Sequence, residues 1–251
     1  MRTLTIRLTG VFQSYGGETN FSRRGTKPYP TKSSIIGMIA ASLGYRRDDD
    51  AQINELNKLN YAVRIEQLGD VTTDFHIVHY EGYITGNRGQ VSGSKITYRD
   101  YLQDTVFLVA ISSEDDELIN TIRHSLAHPK FQLFLGRRAS APAGVLKTSI
   151  FPNMTPIQVL ENESWQAADW YKKRLRKSEV ALKIVADVQL LKGQKYKISR
   201  DTVISFSEKK RKHGYRGIAT KTVKVANDKY VATSTKHDPL SFFETEVIAT
   251  K

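Results

Sequence analysis

Phe21-Ser22-Arg23-Arg24-Gly25-Thr26-Lys27-Pro28-Tyr29-Pro30-Thr31-Lys32 is a basic, proline-stiffened stretch that runs directly into an apolar segment, Ser33 to Leu43, stopped by Gly44. The first part holds Arg23, Arg24, Lys27 and Lys32 and no carboxylate. In the second, Ile35, Ile36, Ile39, Ala40 and Leu43 recur at helical spacing, with Thr31 or Ser33 placed to cap the first turn. Gly37 inside this helix costs about 1 kcal/mol against alanine, which predicts close helix-to-strand contact there. A stiff loop without acids, aimed at the positive end of a helix, suits an anion, and phosphate is the first candidate.

Upstream, Leu4, Ile6 and Leu8 alternate with Thr5, Arg7 and Thr9, the pattern of a strand with one buried face. A glycine-bearing turn from Gly10 to Gly17, carrying Gln13 and Tyr15, joins that strand to the basic loop. Downstream, Asp48-Asp49-Asp50 precedes a short helix, Ala51 to Leu59, where acids favour the helix start and need no metal. Tyr61, Val63 and Ile65 alternate in a second strand. From Thr72 to Thr97 the pattern is polar and aromatic, with Phe75, His76, His79, Tyr80 and Tyr83 leading to a glycine-rich tip, Thr85 to Gln90. This predicts a two-armed hairpin, a thumb over about 72–98 that leaves the sheet. His76 and His79, three apart on a strand, face opposite ways and do not chelate one metal.

Thr105 to Ile111 is an apolar run suited to a central strand buried on both faces. Ser113 caps a helix with acids in its first turn and Leu118, Ile119, Ile122 and Leu126 on its buried side, ending at His128-Pro129. Phe131 to Leu135 reads as a short fourth strand before Gly136-Arg137-Arg138. The resulting order, βαββαβ, is the ferredoxin-like arrangement of RNA-recognition (RRM-type) domains, and the fold class is α+β. Residues 1–145 form that domain. Residues 146–178 read as an irregular linker with a basic turn, Tyr171 to Lys177. In 179–251, strands over Val180 to Leu190, Tyr196 to Phe206, Tyr215 to Val225 and Lys229 to Thr235 predict a small C-terminal antiparallel β domain. Its turn, Lys209 to Gly214, is either a solvated hairpin tip or a phosphate contact.

Composition narrows the partners. Among 251 residues, 38 Lys and Arg face 26 Asp and Glu, for a formal charge of +12, and a pI near 9.7. Such a balance calls for a polyanion, nucleic acid before a membrane surface. No apolar run approaches the roughly 20 residues of a spanning helix, and the alternating N-terminus is no signal-peptide core, so the expectation is a cytoplasmic protein without membrane contact. The absence of cysteine excludes disulfides and thiolate chemistry.

Catalytic and metal motifs are missing: no phosphate-binding Gly-x-x-x-x-Gly-Lys loop, no His-Glu-x-x-His, and Gly86-Asn87-Arg88-Gly89 follows no parallel βα unit. The expectation is no cofactor, no metal and no catalytic residue. Metal-free RNA cleavage needs a general base near a 2′-hydroxyl, for which His76, Tyr45 and Lys95 are the available groups. Single-strand binding has more to draw on: cations for the backbone, and aromatic or guanidinium planes under bases, each worth about 1–3 kcal/mol. The loop offers Arg23, Arg24, Lys27 and Lys32 with Thr31 and Ser33 at the helix start. The strand-end turns offer Gln13, Tyr15, Arg46, Arg137 and Arg138, and the thumb base His76, Lys95 and Arg99.

Leu8-Thr9-Gly10, Gln13 to Gly16, the basic stretch into Pro30 to Ser33, Ile36-Gly37, Leu43-Gly44 with Arg47-Asp48-Asp49, Tyr98 to Tyr101 and Leu135 to Arg138 together resemble the CasD-type, Cas-five family of type I-E CRISPR surveillance complexes (Cascade). The resemblance runs in order through residues 1 to about 145 and is loose past Pro142. It implies a non-catalytic subunit that grips the 5′ handle of CRISPR RNA (crRNA) at the foot of the complex. Its thumb would press on a backbone subunit, and it would touch the large PAM-reading subunit. The resemblance also implies handle phosphates on the basic loop and Lys32, RNA contact at Arg99, and Arg137-Arg138 along the same path. Tyr15 stands where a tryptophan is expected, keeping a stacking surface. The related type I-C members are endoribonucleases that process precursor crRNA, and Tyr45 lies near the position of their tyrosine, which keeps that alternative open.

Overall fold

The computed structural model describes residues 1–19, 22–83 and 90–231. In chain order the elements are β1 (Arg2–Thr9), β2 (Phe12–Gln13), β3 (Tyr15–Thr19), β4 (Arg23–Lys27), α1 (Lys32–Leu43), α2 (Asp50–Leu56), β5 (Asn60–Gln67), β6 (Asp70–Tyr83) and β7 (Gln90–Gln103). There follow β8 (Val106–Ser113), α3 (Asp116–Ala127), β9 (Lys147–Pro152), α4 (Pro156–Asn162), α5 (Asp169–Leu175), β10 (Glu179–Asp187), β11 (Tyr196–Ser205) and β12 (Lys212–Ala226). The molecule is a mixed α+β protein built mostly of sheet.

The apolar residues of β1 form a core face as expected, but Thr3 and Thr5 on its other face are buried too. Leu4, Ile6 and Leu8 are fully buried together with Tyr61 and Val63 of β5 and Phe107, Val109 and Ile111 of β8, under a layer made by α1, α2 and α3. β8 is buried from Val106 to Ser112 because its other face, Leu108 and Ala110, packs with Ala62 and with Ile157 and Leu160 of α4. Neighbouring strands run in the order β5-β8-β1-β9, each antiparallel to the next. Burying a side chain such as Leu4 or Ile6 contributes about 1.5–3 kcal/mol, so these three alternating strands define the sheet's register as well as its stability.

Several expectations are corrected. The fourth strand is β9, not Phe131 to Leu135. That segment lies in irregular backbone that Leu135 ties to Ser14 and Ser140 through its carbonyl and N–H. The second helix is shorter than expected, and α3 is capped by Asp115, whose Oδ1 accepts from the Glu117 and Leu118 N–H groups, not by Ser113. The strands after residue 178 make no sheet of their own. β10 pairs with β5, so β11, β12 and β10 extend the main sheet to seven strands in the order β11-β12-β10-β5-β8-β1-β9. The expected strand over 229–235 is not present in residues 229–231, and its remainder lies outside the described residues, as does the hairpin tip at 84–89.

The 146–178 segment is more ordered than a linker. On the face of β5 away from α1, the buried Arg64 pairs with Glu66 and donates to the Glu163 and Ser164 carbonyls at 2.8 Å each, while Trp165 Nε1 donates to the Glu66 carbonyl at 2.7 Å. Two charges two residues apart on one strand face thus pin α4 and the chain beyond it to the sheet. Burial pushes the Glu66 carboxyl above its ordinary value, and the Arg64 guanidinium opposes that shift.

A second, smaller sheet holds the basic stretch. Part of that stretch is strand, not loop: β4 pairs with β3 and lies parallel to β7, with Arg23 opposite Tyr98 and Arg24 opposite Arg99. β6 and β7 form the long antiparallel hairpin, in register from Asp70–Gln103 to Tyr83–Gln90.

Candidate nucleic-acid interface

The start of α1 behaves as a helix start should, but its anions are the protein's own. Thr31 caps it, its hydroxyl accepting from the Ser34 N–H at 3.2 Å. Lys32 turns inward, where its ammonium meets the buried Asp187 at 3.1 Å, and its backbone N–H donates to Asp201 Oδ2 at 3.3 Å. Arg216 of β12 bonds both carboxylates and lies over the Tyr61 ring, 5.1 Å from its centre. Burial pulls the Lys32 ammonium below its ordinary value, and Asp187 pulls it back. The phosphate role expected for Lys32 is therefore corrected: its charge is spent on Asp187, behind the surface.

Gln13 and Tyr15 are corrected in the same way. Both are buried; Gln13 Nε2 donates to the Thr105 carbonyl, and its Oε1 accepts from the Tyr15 hydroxyl at 2.6 Å. The Tyr15 ring packs edge-on against Phe107 and offers no face to a base. Arg23 donates twice to Asp100 at 3.1 Å, holding that carboxyl below the usual carboxylate range. Lys27 donates to Ser199 Oγ at 2.8 Å, joining β4 to β11. Arg46 follows the other end of α1, about 18 Å along a 12-residue helix from its first turn. His76 and Lys95 lie on the hairpin, where His76 faces Asp74 at 3.4 Å. Tyr45, the tyrosine of the cleavage alternative, packs against the core beyond Gly44, at that same far end of α1.

The remaining candidates converge. A cleft of about 610 Å³ opens beside the first turns of α1, and Arg24, Thr31, Ser33 and Arg137 line it. Arg137 Nη2 donates to the Arg24 carbonyl at 2.7 Å, and its guanidinium lies over Tyr101, 4.9 Å from the ring centre. Arg99 stands opposite Arg24 in the strand register, and Arg138, next to Arg137, is exposed. Glycine backbone forms much of the near wall, from Gly16, Gly17, Gly25 and Gly136. At Gly136 the choice is forced: φ is +94°, and a Cβ would fall 1.6 Å from the Ser14 carbonyl oxygen.

The opposite wall was missed by sequence reasoning. Arg200, Asp201, Phe206, Arg211 and His213 all line the same cleft, although they follow β4 by some 175 residues. The basic turn before Gly214 was the available signal, but nothing in the sequence placed it against α1. The close neighbour of Gly37 is not a strand residue but Phe206, just past the end of β11: a Cβ at Gly37 would lie 3.2 Å from its ring. His213 stacks edge-on against Phe206, and burial, with Arg211 and Arg200 nearby, holds its imidazole below the ordinary value, so it is neutral at pH 7. Among the described residues no group of three or more His, Asp or Glu side chains is placed to hold a metal, and no helix is long and apolar enough to cross a membrane.

Comparison with known proteins gives this arrangement a setting. A family model described as CRISPR-associated protein (Cas_Cas5) matches residues 3–218. The CRISPR system Cascade subunit CasD of Escherichia coli (strain K12) is 32% identical over 148 residues, 54% of this chain and 65% of that protein, so the chain spans just under two thirds of its relative's length. Among solved structures, a chain of a CRISPR RNA-guided surveillance complex superposes with a TM-score of 0.70 at 25% identity, covering 96% of this chain and 98% of the other. A crystal structure of a Cas protein superposes at 0.59 with 23% identity over 91% and 97%, a likeness of fold.

Proposed function

Because the chain belongs to the CRISPR-associated Cas5 family, we propose that it is a non-catalytic RNA-binding subunit of a Cascade-type surveillance complex, gripping the 5′ handle of crRNA at the foot of that assembly in antiviral defence. The observation that carries this reading is the cleft, where guanidinium groups gather over glycine backbone beside α1. Guanidinium presents a planar fork of donors that matches phosphate, and glycine lets a sugar-phosphate chain approach closely. Arg24, Arg137 and Ser33 would hold phosphates there, with Arg99, Arg138 and Lys95 extending the path toward the hairpin.

In this reading the β1-α1-β5-β8-α3-β9 core is the ferredoxin-like RNA-recognition arrangement and the β6–β7 hairpin is its thumb. One hairpin face carries the cross-strand pairs Phe75–Tyr98 and Ile77–Ile96, all at least 45% exposed, an apolar surface suited to a backbone subunit of the complex. The large PAM-reading subunit is the second expected protein partner. The resemblance to CasD supports both assignments.

The test is binding of labelled single-stranded RNA carrying the host's CRISPR repeat sequence. Arg24→Ala with Arg137→Ala is expected to weaken it at least about tenfold, since a charge-assisted hydrogen bond contributes about 1.5–3 kcal/mol. Unchanged affinity would overturn the reading. In EDTA the repeat RNA is expected to stay intact, whereas site-specific cleavage that disappears in His213→Ala would establish an endoribonuclease instead.

A further inference from the structure

The strand pair β11–β12 sits at the edge of the main sheet, and between Lys192 and Lys224 it carries eleven Lys and Arg against two acids, most of the chain's surplus of +12. Two of those cations are engaged elsewhere: Arg216 with Asp187 and Asp201, and Lys221 with Glu161. Arg200 and Arg211 instead line the cleft. The acid beside them, Asp201, has its oxygens taken by Arg216 and the Lys32 N–H, so its charge is already countered.

Both walls of the cleft hold a buried donor or acceptor without a hydrogen-bond partner: Arg137 Nη1 on the side of β4, and His213 Nδ1 on the side of β12. Both residues line the cleft, and a buried polar atom left without a partner is uncommon in a protein interior. The Phe206 ring is fixed between Gly37 of α1 and His213, and the turn that follows it is held by the Glu208–Arg47 ion pair at 2.7 Å.

Resting on the RNA-binding reading above, we infer that β11, β12 and the turn between them are themselves an RNA-binding element: they close the cleft and seat one splayed nucleotide, its base against Phe206 and its flanking phosphates on Arg200 and Arg211. The strand thus runs between two arginine pairs, Arg24–Arg137 and Arg200–Arg211. Unstacked bases of single-stranded RNA are commonly read by such aromatic seats.

The test measures binding of the same labelled repeat RNA across a salt series by the full 251-residue chain, the Arg24→Ala, Arg137→Ala pair and the Arg200→Ala, Arg211→Ala pair. If each arginine meets one phosphate, each pair lowers the log-log salt slope by about 1.4, at about 0.7 per contact on a single strand. Where circular dichroism shows the second alanine pair to be unfolded, Arg200→Gln with Arg211→Gln replaces it, with the same expected slope. A 2-aminopurine scan of the RNA is expected to find one position whose fluorescence change on binding is lost in Phe206→Leu. No binding by the unaltered chain overturns the function and this inference together. A full slope and affinity in the Arg200/Arg211 variants, with loss in the Arg24/Arg137 pair, overturns this inference alone. A scan without a Phe206-dependent position overturns the base seat.

Discussion

At the scale of single residues, the cations of the opening stretch divide by partner rather than by position. Arg23 and Arg24 are adjacent, yet Arg23 turns to Asp100 while Arg24 lines the cleft. Asp100 is 8% exposed, takes both bonds from Arg23 and a third from Thr73, and is held below its ordinary value chiefly by the Arg23 hydrogen bond. A carboxyl depressed in the folded state adds stability above its unfolded value, about 3.9, and that stability is lost as pH falls through the folded value. Arg23→Ala is therefore expected to flatten the acid side of the stability profile: urea unfolding between pH 5 and pH 3 falls less steeply than in the parent protein. Parallel profiles would show that Arg23 does not set the Asp100 titration. Neither this pairing nor the burial of Tyr15 was legible in the sequence, because each is decided by a partner some 80–90 residues away.

Between elements, the binding surface depends on a buried charge network that fastens α1 to the last strands. Lys32, Asp187, Asp201 and Arg216 come from α1, β10, β11 and β12, and Asp187 also accepts from the Tyr61 N–H of β5 at 3.0 Å. Removing one member leaves a buried carboxylate short of a donor, which costs about 1–3 kcal/mol or more. Asp187 keeps Arg216 and Tyr61, so Lys32→Met is expected at the lower part of that range in urea unfolding. Its affinity for repeat RNA, measured on folded protein, is expected to stay within about twofold of the parent, where each 1.4 kcal/mol would be tenfold. A large affinity loss without a stability loss would return Lys32 to the phosphate path. The helix itself was plain from Thr31, the isoleucine stripe and Gly44. What its first turn faces was not, since Asp187 and Asp201 lie in strands that the sequence pattern assigned to a separate C-terminal domain.

For the whole molecule, the decisive difference lies in how the C-terminal strands attach. Alternation located β10, β11 and β12, although β10 ends at Asp187 and β12 begins at Lys212, but a strand's pattern records which face is buried, not which edge it joins. A separate β domain would leave residues 1–178 able to fold alone. In the structure, Ile184, Val185 and Ala186 of β10 pair with Arg64, Val63 and Ala62 of β5 and are all fully buried. Truncation after Ser178 would expose that edge, strip Asp187 from Lys32 and remove Val203 and Ile218 from the main core. The 1–178 fragment is accordingly expected to lack a cooperative thermal transition by circular dichroism, while the full chain melts in one step. A fragment that unfolds cooperatively near the parent temperature would restore the two-domain division, and with it the view that the C-terminal strands are an appendage rather than the second wall of the cleft.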